Sequence, residues 1–182
     1  MTHRFSKRAA GKRLRVHRRT DDPSKGWLQT GSLRFPCALG RSGMTHSKRE
    51  GDGATPIGTL RFGQLHWRGD RMRHPRTALP LRRISTQAGW CDDPGNRRYN
   101  RPVTLPFPAS HERMWRDDGL YDVVIELGWN MRPAIKGRGS AIFMHVARPG
   151  YQPTEGCVAL RRDHLLRLLA LIPRNSRLEI VG

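Results

Sequence analysis

Apolar residues in this chain fall in short runs that repeat at every second position more often than at helical spacing. Leu14 and Val16, and then Leu33, Phe35, Cys37 and Leu39, alternate with polar residues, while Gly26, Gly31 and Gly40 punctuate the stretch. Alternation puts one set of side chains on one face of an extended backbone, so the pattern predicts short antiparallel strands. Pro36 cannot donate to a ladder and predicts a sheet edge or a bulge at its position. A polar, glycine-rich loop over residues 40–54 ends at Thr55-Pro56-Ile57-Gly58-Thr59-Leu60, and a strand or hairpin is expected over 57–67.

Residues 81–85 read as a short strand. Residues 89–108 are dense in Pro, Gly, Asn and Asp and have no apolar period, which predicts an ordered functional loop, since Trp90 and Tyr99 are costly to leave in water. Val123, Val124 and Ile125 mark a strand over 121–127, and Ala141-Ile142-Phe143-Met144-His145-Val146 marks another. Asp163 is placed to cap a leucine-rich helix over 164–172 that Pro173 stops, and a last strand covers 177–181. Many short strands, one C-terminal helix and long loops predict a mainly β, α+β fold of β-sandwich type. We expect one domain over residues 14–182, preceded by a basic flexible arm over 1–13, and no internal repeat.

Composition changes this picture in two ways. Only 36% of the 182 residues are hydrophobic, yet their clustering into runs still predicts a packed core burying roughly two-thirds of the unfolded surface. The formal charge is +19, and residues 1–19 carry eight Lys and Arg and no acid. Such a surface associates with anionic polymers or a membrane surface through counterion release, without chemical specificity. No aromatic stripe interleaves the basic residues, so no specific nucleic-acid partner is expected.

The basic N-terminus lacks the apolar stretch that follows it in a secretory leader, so no signal peptide is visible, and no run is long enough to span a bilayer. Cys37, Cys91 and Cys157 form an odd set without Cys-x-x-Cys spacing, which argues against a disulfide framework and a zinc site and predicts at least one free thiol. Gly51-Asp52-Gly53 lacks the Lys-Ser/Thr of a phosphate loop. No metal and no cofactor are expected. Cys37 and Cys91 are read as structural.

The candidate chemistry lies near the C-terminus. His145 closes an apolar run, and Gly156-Cys157 opens the next one, Val158-Ala159-Leu160. Two strands carrying these residues side by side would bring a thiol to an imidazole base, the pairing that makes a cysteine nucleophilic. Gly156 permits a tight turn there, and the amides of Gly156 and Cys157 are candidate donors to an oxyanion. The spacing equally suits a buried cysteine heading a strand and a core histidine.

Thr55-Pro56-Ile57-Gly58, the strand ending in His145, and Gly156-Cys157-Val158 with Leu160 resemble, in that order, the L,D-transpeptidase catalytic-domain family of bacterial cell-wall enzymes. The resemblance covers about residues 14–182. It implies a mostly β fold, a Cys nucleophile with a His base, a thioester acyl-enzyme and peptidoglycan stem peptides as partners, in the cell envelope or periplasm. The family signature Ser-His-Gly-Cys-Ile/Val-Arg-Leu/Met is altered here: Thr154 stands for its Ser, Glu155 for its His and Ala159 for its Arg. The eleven residues between His145 and Cys157 are also fewer than the resemblance implies.

Around this pair, Trp90, Asp92, Asp93, Tyr99 and Asn100 are candidate substrate contacts, with Thr154 and Glu155 beside the cysteine. Asp92 and Asp93 are suited to holding a substrate ammonium, or alternatively to capping a turn at Gly95 and Asn96. Arg132, Arg138 and Arg148 flank the His145 strand and are candidates to replace the arginine lost at Ala159, with Arg138 and Arg148 preferred. The expected activity is L,D-transpeptidation by a monomer. The alternatives are hydrolysis of the same peptides as a carboxypeptidase or amidase, and a non-catalytic module binding nucleic acid or the cell wall.

Overall fold

A computed structural model describes residues 11–182 of the chain. Of the basic arm expected over 1–13, residues 1–10 lie outside the described residues. The first strands, β1 (Arg13–Arg18), β2 (Lys25–Thr30) and β3 (Leu33–Ala38), form an antiparallel meander. Its second hairpin pairs Thr30 with Leu33 across a two-residue turn, in which Gly31 adopts φ +57°, as such tight turns require. Two short parallel segments follow, β4 (Met44–Thr45) and β5 (Thr55–Pro56), and then the ten-residue β6 (Gly58–Trp67) and β7 (Leu81–Arg83).

Strands β8 (Ala88–Cys91), β9 (Arg101–Thr104) and β10 (His111–Arg113) make a separate three-stranded sheet in the order β10-β8-β9. The chain ends with β11 (Val123–Leu127), β12 (Phe143–Val146), β13 (Val158–Leu160), helix α1 (Arg162–Leu171) and β14 (Arg177–Val181).

The large sheet runs β11-β12-β13-β3-β2-β1-β14-β6-β7, and an additional pairing of β11 with β6 closes it into a barrel-like sandwich. Closure covers the edge that β11 would otherwise expose and leaves the short β7 at the end of the sheet. The interior follows from alternation. Leu14 and Val16 of β1 face inward beside Leu178 and Ile180 of β14, their parallel partners in register, while Arg13 and Arg15 point out to Glu179. Leu165, Leu168 and Leu169, at helical spacing on α1, join the same core.

Three expectations are corrected. Residues 89–108 are no irregular loop: they hold most of the small antiparallel sheet, where Trp90 and Tyr99 are buried. Gly89, Trp90 and Cys91 of β8 are all buried while β9 has no buried residue, so no alternation of apolar positions announces these strands. Asp163 is no N-cap: α1 begins one residue earlier, at Arg162, and the Asp163 carboxylate pairs with Arg161 at 2.5 Å. Pro36 sits in an internal strand, yet β13 pairs β3 only at Cys37 and Ala38, so the proline falls where that side is unpaired.

Candidate active site

β12 and β13 lie side by side in parallel, with Met144 opposite Val158 and His145 opposite Ala159. Residues two apart on a strand share a face, so Cys157 projects from the same side as Ala159 and therefore as His145 and Phe143. Phe143 and Cys157 indeed pack in one cluster, and Met144 and Val158 in the barrel core on the opposite side. The eleven-residue link is enough for so close a parallel pair because it turns back through a 3-10 turn at Pro149–Tyr151 and a bend at Glu155 and Gly156.

That bend is stitched by one hydroxyl. Thr154 Oγ1 accepts from Gly156 N–H at 3.2 Å and donates to the Cys157 carbonyl at 2.7 Å. Gly156 has φ +127°, and a Cβ at this position would come within 2.8 Å of the Ala54 carbonyl, so only glycine fits. Because Gly156 N–H is engaged by Thr154, it is not one of the free oxyanion donors that the sequence suggested.

The thiol is held between two backbone groups. Cys157 Sγ accepts from Phe143 N–H at 3.3 Å and donates to the Ala141 carbonyl at 3.3 Å. Burial pushes the thiol up to about 12. Burial likewise pulls the His145 imidazole down to about 4, opposed by its hydrogen bond to Val146 and assisted by Arg116 and Arg148. His145 Nδ1 lies 2.9 Å from the Val146 carbonyl, which can only accept, so the proton of the neutral ring sits on Nδ1 and Nε2 keeps its lone pair. The Tyr121 ring stands edge-on to the imidazole at 5.3 Å and fixes its plane. At rest the pair is thus neutral thiol and neutral base.

Cys157 and His145 line a cavity of about 340 Å³, and Asp92, Arg148, Thr154 and Glu155 of the expected contacts line it with them. Glu155 points into solvent and pairs with Arg41 at 2.8 Å. Asp93 stays in a turn, accepting from Gly95 N–H at 2.7 Å, which is the capping alternative. Trp90 lies beneath the site, 5.1 Å from the Phe143 ring, with its indole N–H on Asn100. Asn100, buried at φ +54°, also accepts from Ala141 N–H and donates to the Trp129 and Asn130 carbonyls. It organises the segment that holds the thiol and does not face the cavity. Tyr99 donates to Glu50, and Arg138 and Arg132 lie away from this cavity.

Several lining residues were missed by sequence reasoning: Glu50, Glu112, Arg116, Tyr121 and Ser140. Arg116 donates to Glu112 at 2.8 Å and to Asp118 at 2.5 Å. Its guanidinium stands 5.1 Å from the centre of the Tyr121 ring. Glu112 comes from the small sheet, Arg116 and Tyr121 from the turns before β11, Glu50 from the loop between β4 and β5, and Ser140 from the loop between β11 and β12, with no motif in the chain to join them to His145. Arg148 has no ion-pair partner among the described residues, in contrast to Arg116.

The family model of the L,D-transpeptidase catalytic domain, YkuD, matches residues 20–180, nearly the whole chain. No curated protein and no solved structure matches it.

Proposed function

Since the chain belongs to the L,D-transpeptidase catalytic-domain family, whose members act on peptidoglycan stem peptides, we propose that it transfers an acyl group between two such peptides through a thioester on Cys157. The observation that carries this reading is the shared face of Cys157 and His145, with the Nδ1 proton committed to Val146.

In this reading Nε2 of His145 takes the thiol proton as the substrate carbonyl arrives, and the thiolate attacks the carbonyl after the third stem residue. A carbon–sulfur bond forms, the amide carbon–nitrogen bond breaks, and the departing D-amino acid takes the proton back from His145. Charge is created only when the substrate is in place, which suits a thiol and an imidazole that burial keeps neutral. The Cys157 amide is the remaining candidate for the oxyanion. Arg148, unpaired on the cavity wall, is suited to the carboxylate of the leaving residue.

Incubation with purified muropeptides followed by mass measurement of the intact protein tests the reading. An adduct with the mass of the acyl tripeptide portion, absent in Cys157→Ala, supports it; an unmodified protein that still turns the substrate over refutes it. Cross-linked product identifies an amine acceptor, and free tripeptide identifies water. We place the reaction in the cell envelope, where its substrate lies; recovery of all activity from the cytosolic fraction of producing cells would contradict this.

A further inference from the structure

The cavity has an acidic wall that the acylation step leaves unused. In the small sheet Glu112 pairs with Trp90, so Asp92, two residues further on, lies one diagonal step from Glu112 on the same face. Both line the cavity with Cys157 and His145. Glu112 is partnered by Arg116 at 2.8 Å. Burial pushes its carboxyl upward, Arg116 opposing this and the charge of Asp92 adding to it.

Asp92 is different. Its Oδ1 is shielded from solvent and accepts no hydrogen bond. On the same cavity the Ser140 hydroxyl, in a residue only 6% exposed, makes no well-formed hydrogen bond: it approaches the Tyr99 phenol, whose own proton goes to Glu50, and its lone pairs are left without a donor. Leaving a buried acceptor unmade costs more than a typical hydrogen bond contributes, so two such oxygens on one cavity point to a ligand that supplies the donors. A carboxylate and a hydroxyl together call for a group with several N–H donors and one positive charge, which is an ammonium. Arg116 is shared between Glu112 and Asp118, and Asp92 forms no ion pair among the described residues, so it is the carboxylate of this wall that still lacks a cation of its own.

We propose that Asp92 and Ser140, backed by the Glu112–Arg116 pair, bind the ammonium of the acceptor amine and deliver it to the thioester. This rests on the Cys157 acyl-enzyme reading above. Of the three ammonium protons, one passes to His145 and on to the departing Cys157 thiolate, one is lost to solvent, and one stays on the new amide. The carbon–nitrogen bond forms and the carbon–sulfur bond breaks. Asp92 sets acceptor specificity and orientation, while His145 moves the proton.

The test uses the full chain and its Asp92→Asn and Ser140→Ala variants, with a stem tetrapeptide as donor. Two acceptors are compared: a stem peptide with a free primary amine, charged at neutral pH, and hydroxylamine, uncharged there. For Asp92→Asn the KM of the charged acceptor should rise about tenfold or more, well beyond any change in acylation or in use of hydroxylamine, with a smaller rise for Ser140→Ala. An unchanged acceptor KM, or equal losses with both acceptors, overturns the proposal. Calorimetric binding of the amine peptide in a Cys157→Ala background separates the two readings. Asp92-dependent binding by a parent chain that forms no adduct removes the thioester and keeps the ammonium subsite, whereas adduct formation with Asp92-independent binding removes the subsite alone.

Discussion

Two packed regions share the same strands and differ in what they contain. The barrel interior, with Leu14, Val16, Leu65, Ile125, Met144, Val158 and the leucines of α1, is mainly aliphatic, with Phe35, Phe62 and Trp67 among them. Outside the barrel wall, under the small sheet, Trp90, Met114, Leu120, Tyr121, Val124, Phe143 and Cys157 form a smaller, more aromatic cluster. Consecutive residues divide between them: Val123 and Ile125 go inward and Val124 outward, Met144 inward and Phe143 outward, Val158 inward and Cys157 outward. The strand period thus sends alternate residues of a single strand to the barrel core and to the candidate site. The inner region buries the Cys37 thiol among apolar side chains, whereas the outer one sets the Cys157 thiol on a cavity shared with an imidazole and with polar oxygens that lack partners.

The sharpest break in that contrast is chemical. Cys157→Ser should lower acyl transfer by about a thousandfold or more, because a hydroxyl is far harder for this imidazole to ionise, while the thermal midpoint stays close to the parent's. Adduct mass and a melting curve check both halves. Leu168→Ala, in the inner core, should do the reverse: it should cost about 2–5 kcal/mol in denaturant unfolding, with acylation per folded molecule preserved at low temperature.

Asn100→Ala tests the boundary. It strips partners from the Trp90 indole N–H and the Ala141 amide, and it places a non-glycine without a compensating side chain at φ +54°. A loss of about 1–3 kcal/mol is expected. Because Ala141 also accepts from the thiol, acylation should fall as well; a stability loss with parental acylation would break the link between this hub and the site.

The pH profile separates a buried base from a solvated one. In the proposed mechanism the active form is neutral imidazole, and burial pulls His145 down to about 4, so acylation should change less than about twofold from pH 7 to 5. A fall beginning near pH 6.5 would contradict that. The same shift has a stability consequence of fixed sign. Between about 6.5 and about 4 the unfolded imidazole binds a proton that the native one refuses, so the fold loses stability as pH falls through this window. The smallest effect belongs to the solvent-facing pair of Arg41 and Glu155: Glu155→Gln should alter unfolding by about 0–1 kcal/mol. A larger change in acylation would return Glu155 to the list of substrate contacts.

How much of this was legible in the chain depends on the range of the interaction. The strands around Leu14–Val16, Leu33–Leu39, Val123–Ile125 and Phe143–His145 announced themselves because alternation is a local signal, and so did the leucines of α1. His145 and Cys157 stood out because each ends or opens an apolar run, and the Thr-Pro-Ile-Gly and Gly-Cys-Val elements carried the family resemblance. Asp93 and Asp92 looked alike in sequence, but one is spent on a turn and the other faces the cavity.

Sequence by itself determined the mainly β class and the leucine face of the helix, since these follow from the period of side chains along one backbone, and it offered the candidate nucleophile and base through the family resemblance. Only the tertiary structure decided that β11 meets β6 to close the barrel, that β10 folds back on β8, and that Glu112, Arg116 and Ser140 stand around the thiol with Asp92. Those pairings join residues far apart in the chain and depend on packing and loop closure over the whole molecule, which no local pattern encodes.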